Sequence, residues 1–137
     1  MPAAPEKAVE EVPAKETPEE TDTELIEPLT VHFEYRSYYL HKAQMADIRR
    51  FLASLDSLEG LEFHVDAYTC NKGTRDYNRY LSSKRAGAVA RYLKAKGVPG
   101  TAITTASHGE SDPVASNKTE KGRRQNRRAT ISVTGIR

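Results

Sequence analysis

Apolar residues recur with a period of two in some stretches of this chain and with the helical period in others. From Leu29 to Tyr35, Val31, Phe33 and Tyr35 fall on one side and His32 and Glu34 on the other, which predicts a half-buried strand. Between Leu40 and Leu55, Met45, Ile48, Phe51, Leu52 and Leu55 share a helical face, with Asp47, Arg49, Arg50 and Asp56 outside it. Glu59-Gly60 closes that helix. Leu61, Phe63, Val65 and Ala67 then alternate with Glu62, His64 and Asp66 as a second strand. A polar loop from Tyr68 to Tyr77 leads into a second helix over Asn78 to Gly97, with Asp76 as its expected cap and Gly97 and Pro99 as its stop. Thr101 to Ser107 predicts a third strand, Gly109 to Arg127 a long polar loop, and Ala129 to Val133 a fourth strand. The order βαβαββ predicts an α/β (α+β) two-layer sandwich with its helices on one face of a mixed four-stranded sheet.

The second helix contains the one residue that breaks the pattern. Leu81, Arg85, Ala88, Val89, Tyr92 and Leu93 lie along one side, while Arg79, Lys84, Arg91 and Lys94 lie on the other. Arg85 thus sits in an apolar stripe. A guanidinium taken out of water needs a partner because it does not neutralise, so the helix predicts an anion beside Arg85. An internal ion pair or a snorkelling side chain is the structural alternative.

Charge divides the chain. Residues 1–30 hold nine acids and two lysines, 2 − 9 = −7, so the remainder carries +9 to reach the net +2. Five of the seven prolines also fall before Leu29. Residues 1–28 are expected to form an acidic, Pro/Glu-rich disordered tether, and residues 29–137 the folded domain. There is no run of eighteen apolar residues and no amino-terminal signal pattern, so any membrane anchor is expected outside this chain. The single cysteine, Cys70, excludes an internal disulfide, and the four histidines lack ligand spacing, so neither metal nor cofactor is expected. An exposed Cys70 would be able to join two chains, whereas a buried one would be a small core residue. The run KGRRQNRR from Lys121 to Arg128 has the charge of a nucleic-acid patch, but no aromatics are interleaved with it and no nucleic-acid-binding motif accompanies it. Nucleic acid is therefore not expected as a partner.

Asn78, Leu81, Ser82, Arg85, Ala86, Val89, Tyr92, Leu93 and Gly97 follow the pattern N-x-x-L-S-x-x-R-A-x-x-V-x-x-Y-L-x-x-x-G. Gly109, Glu110 and Pro113, then Asn117, Thr119, Gly122, Arg123, Asn126, Arg127 and Arg128, continue it as G-E-x-x-P and N-x-T-x-x-G-R-x-x-N-R-R. Val31, Phe33, Ser37 and Leu40 fit its opening strand. Over residues 29 to 137 the chain resembles the OmpA-like (OmpA/MotB) carboxy-terminal domain. The resemblance implies the βαβαββ fold, no enzymatic activity, and non-covalent binding of peptidoglycan through the diaminopimelate of its stem peptide. It also implies a place in the periplasm, associated with the outer membrane, and other envelope proteins as partners. The residues it marks for the ligand are Arg85, Thr69, Cys70, Asn78, Leu81, Arg36 and Arg128.

Two of these depart from the family pattern. The family aspartate, which would accept the ligand's ammonium, falls on Cys70, and an acid common before the strand-one serine falls on Arg36. Losing one partner of a desolvated charge pair costs roughly 2 to 5 kcal/mol, so weakened or altered muropeptide binding is expected. The alternative is a degenerate domain serving as a structural protein–protein module of a secretion or motor complex.

Overall fold

Four strands whose inward residues are nearly all aliphatic or aromatic form the sheet. In this computed structural model, which describes residues 26–135, they are β1 (Leu29–His32), β2 (Leu61–Ala67), β3 (Ile103–Ser107) and β4 (Arg128–Gly135). The acidic stretch expected as a tether lies, up to residue 25, outside the described residues. The strand order is β1-β4-β2-β3. β4 runs antiparallel to both neighbours, with Val31 opposite Ala129 and Val65 opposite Ile131, while β2 and β3 are parallel. The last strand therefore enters between β1 and β2, and the first crossover spans it.

Helices α1 (Lys42–Ala53) and α2 (Arg75–Ala95) cover one face of the sheet, and a seven-residue α3 (Glu120–Asn126) precedes β4. Alternation places Leu61, Phe63, Val65 and Ala67 of β2, and Ala129, Ile131 and Val133 of β4, under the helices. They meet Ile48 of α1 and Ala86, Val89 and Leu93 of α2 in one core. Glu62, His64 and Asp66 face outward.

Several boundaries differ from the sequence expectation, each for a local reason. β1 stops at His32 because its partner strand begins at Arg128; beyond that point the main-chain bond from Phe33 N–H to the Arg127 carbonyl continues the contact without a ladder. α1 begins at Lys42, where Gln44 Oε1 accepts from the His41 N–H. Thr74, not Asp76, caps α2: its Oγ1 accepts from Tyr77 N–H at 3.1 Å, leaving Asp76 in the first turn, where a negative charge suits the helix dipole. A 3-10 turn over Gly100–Ala102 precedes β3, which begins at Ile103. The stretch expected as loop contains α3, capped by Thr119 Oγ1 accepting from Gly122 N–H. Its buried residues are a glycine and an asparagine, so no apolar periodicity announces it.

Candidate functional site

Arg85 reaches from the middle of α2 into the end of the sheet and is fully buried, at 0% exposure. Its Nε donates to the Ser37 carbonyl at 2.8 Å, Nη1 to the Tyr68 carbonyl at 3.0 Å and Nη2 to the Glu34 carbonyl at 3.0 Å. The turn from Glu34 to Ser37, with Arg36 at φ 60°, wraps two carbonyls around the guanidinium. The third comes from the chain leaving β2, and the Phe33 ring lies 5.1 Å away. All three acceptors are neutral. Among the described residues no carboxylate pairs with Arg85, and two of the five guanidinium N–H groups have no protein acceptor. Burial lowers its pKa to about 10, with the nearby Arg127 charge acting in the same direction, so it is still charged at neutral pH. The internal ion pair that would have explained Arg85 as structure is not present among the described residues.

Beside Arg85 opens a cleft of about 300 Å³. Arg36, Thr69, Cys70, Asn78, Leu81 and Arg85, six of the residues marked from the sequence, line it. Among the described residues, two buried polar atoms on the cleft lining have no hydrogen-bond partner, Thr69 Oγ1 and Arg127 Nη1. The other nitrogens of Arg127 are used, Nε by the Phe33 carbonyl at 3.1 Å and Nη2 by Glu120 at 3.0 Å. Asn78 Nδ2 donates to Glu110 at 3.0 Å. Cys70 is 3% exposed, which fits the small core residue and not a thiol free to join two chains.

The seventh marked residue is elsewhere. Arg128 packs 3.7 Å over the Tyr68 ring and donates to the Asp112 carbonyl, on the sheet face away from the helices. Its neighbour Arg127 lines the cleft instead. Strand alternation separates the two, because Arg127 shares the parity of the core residues Ala129, Ile131 and Val133 while Arg128 shares that of Thr130 and Ser132. That signal was available in the sequence. Tyr35, Lys72, Gly73, Thr74 and Tyr77 also border the cleft and were not marked. They belong to loops and a helix start, where neither period applies.

The basic run is largely consumed by structure. Arg123 holds the Asn117 carbonyl at 2.9 Å, and Arg127 and Arg128 are engaged as above. Lys121 and Arg124 remain exposed, too few for a phosphate-tracking stripe.

These features define an α/β domain of three helices and a mixed four-stranded sheet, with a cationic cleft, floored by a buried arginine, at one end of that sheet. The chain belongs to the OmpA family, whose profile matches residues 32–127. The peptidoglycan-associated lipoprotein of Buchnera aphidicola is 32% identical over 113 residues, 82% of this chain and 65% of that protein. The crystal structure of the peptidoglycan-associated lipoprotein from Burkholderia pseudomallei superposes with a TM-score of 0.71 at 32% identity, over 76% of this chain and 88% of that one. The structure of the type VI secretion cell wall anchor from Pseudomonas aeruginosa gives a TM-score of 0.64 at 25% identity, over 80% and 81%. The chain spans 65% of the Buchnera protein's length and as little as 21% of other curated relatives.

Proposed function

We propose that this chain is a non-catalytic cell-envelope domain that holds peptidoglycan without a covalent bond, anchoring a larger protein to the wall from the periplasmic side. The observation that carries the reading is Arg85, a buried cation whose acceptors among the described residues are all neutral carbonyls, flooring a cleft where Thr69 Oγ1 and Arg127 Nη1 have no partner among those residues. A stem-peptide carboxylate meets that need. It accepts from the remaining guanidinium N–H groups, and a charge-assisted bond of this kind is roughly twice as strong as a neutral one. Diaminopimelate is the stem residue that presents such a carboxylate at the end of a side chain. The relatives support the reading, being named for association with peptidoglycan and for wall anchoring and not for a reaction.

Pelleting with purified sacculi tests it. The domain is expected to sediment with sacculi at physiological salt, and Thr69→Val to sediment less. A wild-type domain that stays in the supernatant would overturn the proposal. It would favour the second reading, a structural module of an envelope complex, to which the lack of an acid among the described lining residues already lends weight.

A further inference from the structure

The charge of the cleft is one-sided. Arg36, Lys72, Arg85 and Arg127 line it, and among the described residues no aspartate or glutamate does. The acids nearby are occupied or turned away. Glu110 accepts from Asn78, Glu120 from Arg127, and Asp66 pairs with His108 at 2.8 Å on the far side of the sheet. Glu34 is exposed and offers its main-chain carbonyl to Arg85.

An ammonium is otherwise held by aromatic faces. Here those faces are taken: the Arg36 guanidinium lies 5.2 Å from the Tyr77 ring centroid, and that of Arg127 lies 5.9 Å from the Tyr35 centroid. Cys70 lines the same wall with a sulfur that is only a weak acceptor.

Diaminopimelate with a free side-chain amine carries a carboxylate and an ammonium on one carbon. Its carboxylate suits the cleft, but its ammonium would enter among four cations with no acceptor carboxylate among the described lining residues. Acylation of that amine, as occurs where one stem is joined to the next, removes the positive charge and leaves an amide N–H and the carboxylate. We propose that the cleft selects stem peptides whose diaminopimelate amine is acylated, so that the domain reads cross-linked wall in preference to free stems. This rests on the reading of the cleft as a peptidoglycan site.

The test is calorimetric titration of the wild-type domain with two synthetic tripeptides, L-Ala-γ-D-Glu-meso-diaminopimelate with its side-chain amine free and the same peptide N-acetylated there. The acetylated peptide is expected to bind roughly ten-fold tighter or more. In Cys70→Asp, which places a carboxylate on the cleft wall, the order is expected to reverse; the wild-type comparison stands even where that variant does not fold. Equal affinities, or tighter binding of the free amine by the wild type, would overturn the preference while leaving wall binding intact. Binding of sacculi with neither tripeptide bound would also overturn it. Failure to bind sacculi as well would overturn both this inference and the proposed function.

Discussion

Arg85 and Thr69 put opposite demands on stability and binding. Replacing Arg85 with methionine removes a desolvated charge but strands the carbonyls of Glu34, Ser37 and Tyr68, each at about 1 to 3 kcal/mol when left buried without a donor. The variant is expected to be destabilised by roughly 3 kcal/mol or more in urea denaturation. Thr69→Val should behave the other way. Its hydroxyl is buried without a partner, so the swap is expected to leave the free domain as stable or to stabilise it by about 1 kcal/mol, while weakening sacculus binding. A structural threonine would not separate the two readouts. Arg85 was legible in the sequence because a charge interrupts an apolar stripe. Its acceptors were not, because main-chain carbonyls belong to every residue and only the fold decides which of them converge.

The helices show how far periodicity reaches. α1 and α2 carry enough apolar residues at helical spacing to be read, and the alternation of β2 fixes which side of the sheet they cover. α3 was invisible for a physical reason: it is held by a Thr119 cap and by Asn126, which accepts from Val114 and Ala115 N–H and donates to the Ala115 carbonyl, not by an apolar stripe. The parity that places Arg127 in the cleft and Arg128 outside it is that of the β4 core residues Ala129, Ile131 and Val133, and it could be read without α3. Glycines in these helices give contrasting tests. A Cβ on Gly122 would lie 1.8 Å from the Ser116 carbonyl oxygen, so Gly122→Ala is expected to cost at least about 2 kcal/mol in thermal or chemical unfolding and to shift Arg127. At Gly87, in the middle of α2, the nearest atom is the end of the Arg91 side chain at 3.7 Å, so Gly87→Ala is expected to stabilise by about 0.5 to 1 kcal/mol.

For the whole molecule, charge sets the response to solution conditions. His32, facing Arg128 across the β1–β4 pair, has its pKa lowered by burial first and then by Arg128 and Arg127. The unfolded chain therefore binds this proton at a higher pH than the folded one. The stability contribution is full above about pH 6.5 and declines as pH falls from there through the folded pKa. His32→Asn is expected to flatten that part of the acid limb, seen as a smaller loss of urea midpoint between neutral and mildly acidic pH. The cluster of cations at the cleft is also expected to make the proposed wall binding salt-sensitive, since partly exposed charges are screened over about 8 Å at physiological ionic strength. The most direct check on the central claim is an NMR titration of the isotope-labelled domain with the diaminopimelate stem tripeptide, following backbone amides and the Arg85 Nε–H together. The account predicts saturable shifts at Arg85 Nε–H, Thr69, Cys70 and Asn78, with the outward strand face around Asp66 and His108 unmoved. An Arg85 resonance that stays in place while the tripeptide binds elsewhere, or no binding of the tripeptide in either amine form, would contradict it.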